Sequence, residues 1–351
     1  MNASFSEKLI YWYGNNKRKL PWRNTKDPYT IWISEVILQQ TRVAQGLSYY
    51  YKFTETFPTV YDLANADQQE VLRVWQGLGY YSRARNMHKA AKQVVESHSG
   101  KFPSTYQELL SLTGVGTYTA AAIASFAFGE AVPVIDGNVF RVLSRVFGID
   151  RDIAQAKTKS YFFSVASELI STKKPDLFNQ AIMEFGALAC TPKKPNCSLC
   201  PFSSECIAYS TNKIDLFPVK NKKIKTRKRF FNYAVVQHKD KIFLSKRGKK
   251  DIWQDLNDFL LTETKDVSST EDEIITHIAT FFNIRTSSVT LHKTSKLYKH
   301  VLSHQQIFAT FFKVSINSSA SSFQDNFFTI KEVEKLPKPV LITNYLNEEF
   351  K

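Results

Sequence analysis

The sequence predicts a multidomain protein: an all-helical N-terminal domain over residues 1–212, a basic linker over 213–229 and a smaller α+β domain over 230–351. Three observations carry that reading. The chain has 351 residues, more than one hydrophobic core usually serves. Up to about Asn212 apolar residues recur at helical spacing, whereas from Phe230 the pattern turns to alternating and β-branched stretches. Between them, residues 213–229 hold eight basic residues and one acid, Asp215, with Pro218 inside, the composition of an extended linker.

Composition narrows the class. A hydrophobic fraction of 43% with 14% aromatics suffices for packed cores, and a formal charge of +15 favours a polyanionic partner. The opening MNASFSEKLIYWYGNNKRKL has no continuous apolar region of the kind a secretory signal needs. The most apolar stretch, residues 119–132, is too short and interrupted to span a bilayer. A soluble, intracellular protein without a membrane partner is expected.

The helical part begins with residues 3–13, where Phe5, Leu9 and Tyr13 share one helical face. After LPWR (20–23), Asp27 or Thr30 is placed to cap a helix running to about Thr41. Ile33, Val36 and Ile37 follow the period of that helix, and Glu35 stands among them as the anomaly. Such a Glu is ordinarily exposed or paired with a basic neighbour. Facing an apolar cleft, it would instead be desolvated and keep a proton near neutral pH. Residues 62–97 read as two helices joined around 76–81, where Gly77 and Gly79 lie beside Tyr80 and Tyr81. That junction is either a turn with core tyrosines or a close-approach loop with stacking edges. Arg83, Arg85 and Lys89 follow it, and residues 106–111 form a further short helix.

Residues 112–138, LTGVGTYTAAAIASFAFGEAVPVIDGN, organise the rest. The turn Gly114-Val115-Gly116 opens a small-residue helix near Thr117, and the free N–H groups there can cradle a phosphate, though such a turn is also a common tight connection. Tyr118 lies one turn in. Asp136 follows Pro133, where the helix must have ended, and reads either as a cap or as a carboxylate brought towards the same place. Helical patterns then continue through VFRVLSRVF, SYFFSVASELI and FNQAIMEFGALAC, where Gly186 allows close packing beside the cysteines. All four cysteines, Cys190, Cys197, Cys200 and Cys206, fall in one Cys-x6-Cys-x2-Cys-x5-Cys run. Clustered thiolates imply a metal site, and with one close Cys pair where zinc sites usually have two, the spacing suits a cubane cluster. Beyond Phe230, FFNYAVVQ, KIFLSK, SVTLHKT and IFATFFKVSI read as strands, EDEIITHIATFF as a helix and 344–350 as a closing helix.

LTGVGTYTAAAI followed by IDGNVFRV resembles the helix-hairpin-helix plus Gly/Pro-Asp signature of the endonuclease III superfamily of DNA glycosylases. LPWR, SEVILQQT, LGYYSRARN and VGTYT narrow the resemblance to the adenine DNA glycosylase (MutY) family. The resemblance implies a helix-hairpin-helix glycosylase domain with a 4Fe–4S cluster on the four cysteines, followed by a Nudix-like domain. It implies a monomeric, cytoplasmic repair enzyme that acts on double-stranded DNA holding adenine opposite 8-oxoguanine or guanine. Glu35 would protonate adenine, Asp136 would face the sugar, and Asn138 would orient Asp136 or its water. Gly114 and Gly116 would hold a backbone phosphate, and Arg23 and Gln180 would lie near the extruded base. Gln40, Thr41, Leu78, Gly79 and Tyr80 would surround the lesion pair. Tyr118 stands where bifunctional relatives carry a nucleophilic lysine, so base removal without strand cleavage is expected. The glutamate-dense magnesium box of Nudix hydrolases is missing, so the C-terminal domain is expected to bind without hydrolysing. Leu302, Ser303 and His304 occupy the place of the family's Phe-Ser-His loop, which senses 8-oxoguanine, with Leu in place of Phe.

Overall fold

The computed structural model describes residues 2–221, 226–249, 251–266, 269–317 and 325–350. Lys222, Lys223 and Lys225 of the expected linker lie outside the described residues. By its contacts the chain divides into two compact units: Met1–Asn65 with Asn86–Lys222, and Ala66–Arg85 with Lys223–Lys351. Among the described residues no helix is long and apolar enough to cross a membrane.

Twelve helices precede the sheet among the described residues: α1 (Asn2–Asn16), α2 (Pro28–Leu38), α3 (Val43–Thr56), α4 (Val60–Asn65), α5 (Gln68–Trp75), α6 (Ser82–His98), α7 (Tyr106–Leu109), α8 (Thr117–Phe128), α9 (Gly137–Phe147), α10 (Ala156–Leu169), α11 (Pro175–Leu188) and α12 (Ile207–Ser210). Two of them, α2 and α8, are mostly apolar, buried over most of their length and packed against each other. Asp27, with Pro28 at the first helical position, caps α2 by accepting from the Tyr29 and Thr30 N–H groups at 3.2 and 3.0 Å. The helix stops at Leu38, three residues before the expected end, because the chain turns sharply through Gln40 at φ +56°. Gly129 closes α8 at φ +72°. A second core joins Phe5, Leu9 and Tyr13 of α1 to Val142 of α9, Phe162 of α10, Ile182 and Phe185 of α11, and Phe202 of the cysteine loop. Burying each such side chain contributes about 1.5–3 kcal/mol.

The strands are β1 (Arg227–His238), β2 (Lys241–Phe243), β3 (Ser245–Lys246), β4 (Asn257–Asp258), β5 (Leu260–Thr264), β6 (Val289–Thr294), β7 (Tyr298–Val301), β8 (Gln305–Ile316) and β9 (Phe327–Thr329). The main sheet runs β6-β8-β1-β2-β9, with β5 paired to β1 and β7 to β8. Among the described residues only the central β1–β8 pair is parallel, in register from Arg227 opposite Gln305 to Gln237 opposite Ser315. One face packs on α13 (Glu271–Phe282) through Ile274, Ile278 and Phe282. The other, beyond the short helix α14 (Ile330–Lys335) in the chain, receives α15 (Val340–Glu349), whose Tyr345 ring stacks on Phe311 at 4.0 Å. That last helix starts four residues earlier than the sequence suggested, immediately after Pro339.

The basic run is not solvated linker to its end. β1 begins at Arg227, and Arg229 is 6% exposed, donating to Asp251 at 2.7 and 2.8 Å and to Glu263 at 2.7 and 2.5 Å. Two carboxylates at a guanidinium repay its burial in the sheet.

Candidate active site

Glu35 sits on α2 and is 5% exposed, between the buried Ile33 and Ser34 on one side and Val36 and Ile37 on the other. Its polar partner is the Tyr118 hydroxyl, which donates to Oε2 at 2.6 Å from the first turn of α8. Burial pushes the Glu35 carboxyl up to about 7, the negative charge of Asp136 adds to this, and the Tyr118 bond and Arg23 work against it. Burial, with the charges of Glu35 and Asp136 beside it, holds the Tyr118 phenol well above its ordinary range. Tyr118 is therefore a fixed donor, and Glu35 can carry a proton on Oε1 near neutral pH.

Asp136 is the cap residue of α9. It accepts from the Val139 N–H at 2.8 Å and from the Asn138 amide at 2.7 Å. Burial outweighs those donors and the Arg141 guanidinium, so its pKa stays above the usual aspartate value. The cap and the carboxylate readings of this residue thus describe one arrangement. Asn138 is itself held: Arg141 donates to its carbonyl oxygen at 2.8 Å, to Gly186 O at 2.6 Å and to Cys190 O at 2.8 Å. One guanidinium ties the Asp136 loop, α11 and the first cysteine together.

Gly186 was expected to permit close helix packing beside the cysteines, and the structure shows which helix it packs against. A Cβ on Gly186 would lie 2.5 Å from Asn138 Cβ and 3.1 Å from the Asn138 backbone, because α9 and α11 cross there. Gly186→Ala should therefore push Asn138 off Asp136, costing about 1–3 kcal/mol of stability and slowing the reaction. Thermal melting and a single-turnover rate check this. A variant matching the original in both would mean the crossing can spread.

One cleft of about 590 Å³ is lined by Glu35, Tyr118, Asp136 and Asn138 together with Arg23, Thr41 and Gln180. Gln180 accepts from the Tyr13 hydroxyl at 2.7 Å, which fixes its amide. Arg23 donates to Glu184 at 2.9 and 2.7 Å and to Arg18 O at 3.0 Å. Glu184, 1% exposed, was not singled out by the sequence reading. Burial alone would raise it, but Arg23 and Arg18 outweigh that and bring it down to about 2. The signal was present: Glu184 lies in AIMEFGA, an apolar setting like that of Glu35. Gln40 is exposed, just past the end of α2.

Gly114 and Gly116 form the exposed turn into α8. Gly114 adopts φ +77°, and a Cβ there would meet Asn86 at 2.5 Å. Gly116 has an ordinary φ of −91° and nothing within 4 Å of where a Cβ would be, so the protein's own packing does not require a glycine.

The remaining candidates gather in the second unit. Leu78, Gly79 and Tyr80 line a cavity of about 760 Å³ with Leu302, Ser303 and His304. The Tyr80 and Ser303 hydroxyls hydrogen-bond each other. The loop takes positive φ at Gly79 (+72°), where glycine accommodates it, and at Tyr80 (+48°), where a side chain strains it, and the Trp75 indole N–H holds Gly79 O at 3.0 Å. Tyr80 is 40% exposed and Leu78 is 8% exposed, so Tyr80 offers a ring and Leu78 props the loop from inside. Leu302 N–H closes the β7–β8 turn onto Gln305 O at 2.8 Å.

Cys190, Cys197, Cys200 and Cys206, all free thiols, line one small cavity in the first unit with Val146, Phe185 and Ile214 as apolar walls. Among the described residues no three His, Cys, Asp or Glu side chains are grouped so as to hold a single metal ion. Arg145 faces this cavity, with its guanidinium 3.5 Å from Cys190 Sγ and donating to Thr191 O at 2.7 Å. Four thiols around a void, with a cation at its edge, fit an anionic thiolate cluster.

Comparison with known proteins gives two domain families. Residues 33–167 match the HhH-GPD superfamily of base excision DNA repair proteins, and residues 232–348 match the NUDIX domain. An adenine DNA glycosylase of Buchnera aphidicola (subsp. Acyrthosiphon pisum) is 36% identical over 253 residues, covering 72% of each chain. The adenine DNA glycosylase of Mus musculus is 45% identical over 216 residues, 59% of this chain and 42% of the mouse protein. Among solved structures, a thermostable thymine-DNA glycosylase superposes with a TM-score of 0.56 at 29% identity, over 60% of this chain and 97% of that one. An endonuclease III structure with a TM-score of 0.52 and 21% identity, over 60% of this chain and 95% of that one, shares the fold.

Proposed function

The chain belongs to the adenine DNA glycosylase family, enzymes of base excision repair that act on N-glycosyl bonds, and on that premise we propose that it releases adenine paired with 8-oxoguanine or guanine in duplex DNA, by hydrolysis alone. The observation that carries the reading is the pair of acids on one cleft, Glu35 held to a proton near neutral pH and Asp136 held by N–H donors.

The target nucleotide is extruded from the duplex into the cleft. Glu35 passes its proton to a ring nitrogen of adenine, the bond between C1′ and N9 breaks, and adenine leaves with the bonding electrons. Asp136, ionised, faces the positive sugar, and Asn138 keeps its carboxylate aimed. Water adds its hydroxyl to C1′ and returns a proton to Glu35, so the product is an abasic site. Tyr118 is a phenol with a raised pKa, and it cannot form the Schiff base that strand cleavage needs. Gly116, glycine without an internal reason, suits a phosphate approaching the start of α8. The cysteine loop is assigned a 4Fe–4S cluster, which would fasten that loop. Through Arg141 its first cysteine is joined to the Asp136 loop.

In the second unit, Tyr80, Ser303 and their neighbours are assigned the opposite base, Ser303 offering its hydroxyl to a base edge and Tyr80 its ring. Two of the acids at the start of α13 are engaged structurally, Glu273 in a capping box with Thr270 and Glu271 with Thr294, which fits a reading domain that does not hydrolyse nucleotides.

The deciding experiment is a glycosylase assay on duplex with adenine opposite 8-oxoguanine, read before and after alkali. Strand breaks only after alkali are expected. Robust borohydride trapping that one lysine change abolishes would replace this reading with a glycosylase–lyase.

A pH prediction follows from Glu35. The acid form is needed, so log kcat should fall as pH rises through about 7. The Tyr118 bond favours the carboxylate, so Tyr118→Phe should move that limb up by about half to one pH unit. A limb that stays put, or moves down, would show that Glu35 is not the titrating acid.

A further inference from the structure

The cavity that holds Tyr80 and Ser303 has walls from two distant parts of the chain, and one small helix joins them. Gln69 of α5 uses both ends of its amide. Its Nε2 donates to Asp255 O at 3.0 Å, and its Oε1 accepts from Asn257 Nδ2 at 3.0 Å. Gln68 adds a bond to Asp255 Oδ2 at 3.2 Å, and Arg85 donates to Gln254 O at 2.8 Å. About two helical turns further along, at the C-cap of α5, Gln76 donates to Thr343 Oγ1 at 3.2 Å and accepts from Lys338 N–H at 3.3 Å.

The loop gripped in this way, residues 251–256, supplies Asp251, Ile252 and Trp253 to the cavity wall. It holds two non-glycine residues at positive φ, Trp253 at +61° and Asp255 at +65°, a conformation that persists only where neighbours impose it. From the sheet side, Arg229 and Arg247 both hold Asp251, and Arg247 donates to Ile252 O at 3.0 Å. From the other side the loop is held through Gln68, Gln69 and Arg85. Past the end of α5, the Trp75 indole and the Arg83 guanidinium both bind Gly79 O, at 3.0 and 3.2 Å, so the position of the helix is passed on to Tyr80.

We propose that Gln69 is a positioning residue for reading the opposite base: its amide locks α5, and with it Tyr80, to the 251–256 loop, which shares the cavity with the Leu302–His304 turn. The proposal rests on the assignment of that cavity to the opposite base. It needs a neutral amide, because only an amide both donates to Asp255 O and accepts from Asn257.

The test compares single-turnover adenine release from duplexes with adenine opposite 8-oxoguanine and opposite guanine, using the full-length protein. Gln69→Ala is expected to lower the preference for the 8-oxoguanine pair by about fivefold, as one lost hydrogen-bond pair would. The rate on the guanine pair should change less than about twofold, and that rate doubles as the control for folding. An unchanged preference, or an equal fall on both duplexes, overturns the proposal. Ser303→Ala in the same assay separates the two layers. If it lowers the preference and Gln69→Ala does not, the positioning role alone fails. If it leaves the preference unchanged, the cavity assignment fails and takes this inference with it.

Discussion

Glu35→Gln should cut single-turnover adenine release by about a hundred- to ten-thousand-fold, the range expected when a positioned general acid is lost. Binding to duplex bearing the lesion should persist, since the amide has the same shape and its oxygen can still accept from Tyr118, as Glu35 Oε2 does at 2.6 Å. Stability supplies a second, independent reading. Burial raises the folded-state pKa of Glu35 from 4.5 to about 7, so the folded protein holds the proton more tightly than the unfolded chain. The stability this contributes is fully present below the unfolded value and is lost as pH rises through about 7. The Gln variant has no charge to bury. It should therefore melt at or above the temperature of the original protein at pH 8, with the gap closing towards pH 5. An inactive variant that also melts lower at pH 8 would point to a packing role for Glu35.

How far the site was legible depended on the range of the interactions that make it. Glu35 and Glu184 send the same local signal, an acid inside an apolar helix. Their fates differ because Glu184 meets Arg18 and Arg23, more than 160 residues away in sequence, whereas Glu35 meets the Tyr118 phenol. Two guanidiniums hold one acid to about 2, and burial beside a phenol brings the other to about 7. No local pattern separates these cases. Asp136 was readable because the contacts that fix it lie within three residues of it. That Gly186 allows close helix packing was readable too, but its partner Asn138 was not, since it comes from a crossing helix.

The fold was readable for a related reason. Helical period and strand alternation are local, so most helices, the long strands β1 and β8 and the order of the two domain types could be placed from them, while α3 and the short strands β5, β7 and β9 were not. Tertiary partners were out of reach. Local spacing describes α5 and α6 as helices around a glycine turn, and it does not show that residues Ala66–Arg85 share their contacts with the C-terminal part of the chain. It likewise shows Arg229 as one more charge in a basic run. Its two carboxylate partners, Asp251 and Glu263, come from a later loop and from β5.

Asp136→Asn separates chemistry from folding more sharply than any other change at this site. Asp136 does two things at once. It caps α9 through the Val139 N–H at 2.8 Å, and it holds a carboxylate at the cleft with Asn138. Asn caps a helix about as well as Asp, so α9 should still start at the same residue and melting should shift by less than about 1 kcal/mol. The negative charge goes, and with it the group that steadies the positive sugar as adenine departs. A loss of about a hundred- to a thousandfold in release rate is expected, comparable to removing one preorganised electrostatic partner of a transition state. Asp136→Ala supplies the contrast, because it loses the cap as well and should cost about 0.5–2 kcal/mol of stability besides. If the Asn variant keeps its activity while the Ala variant loses both stability and activity, Asp136 serves only as a cap. The positive sugar would then need its counter-charge from elsewhere in the cleft.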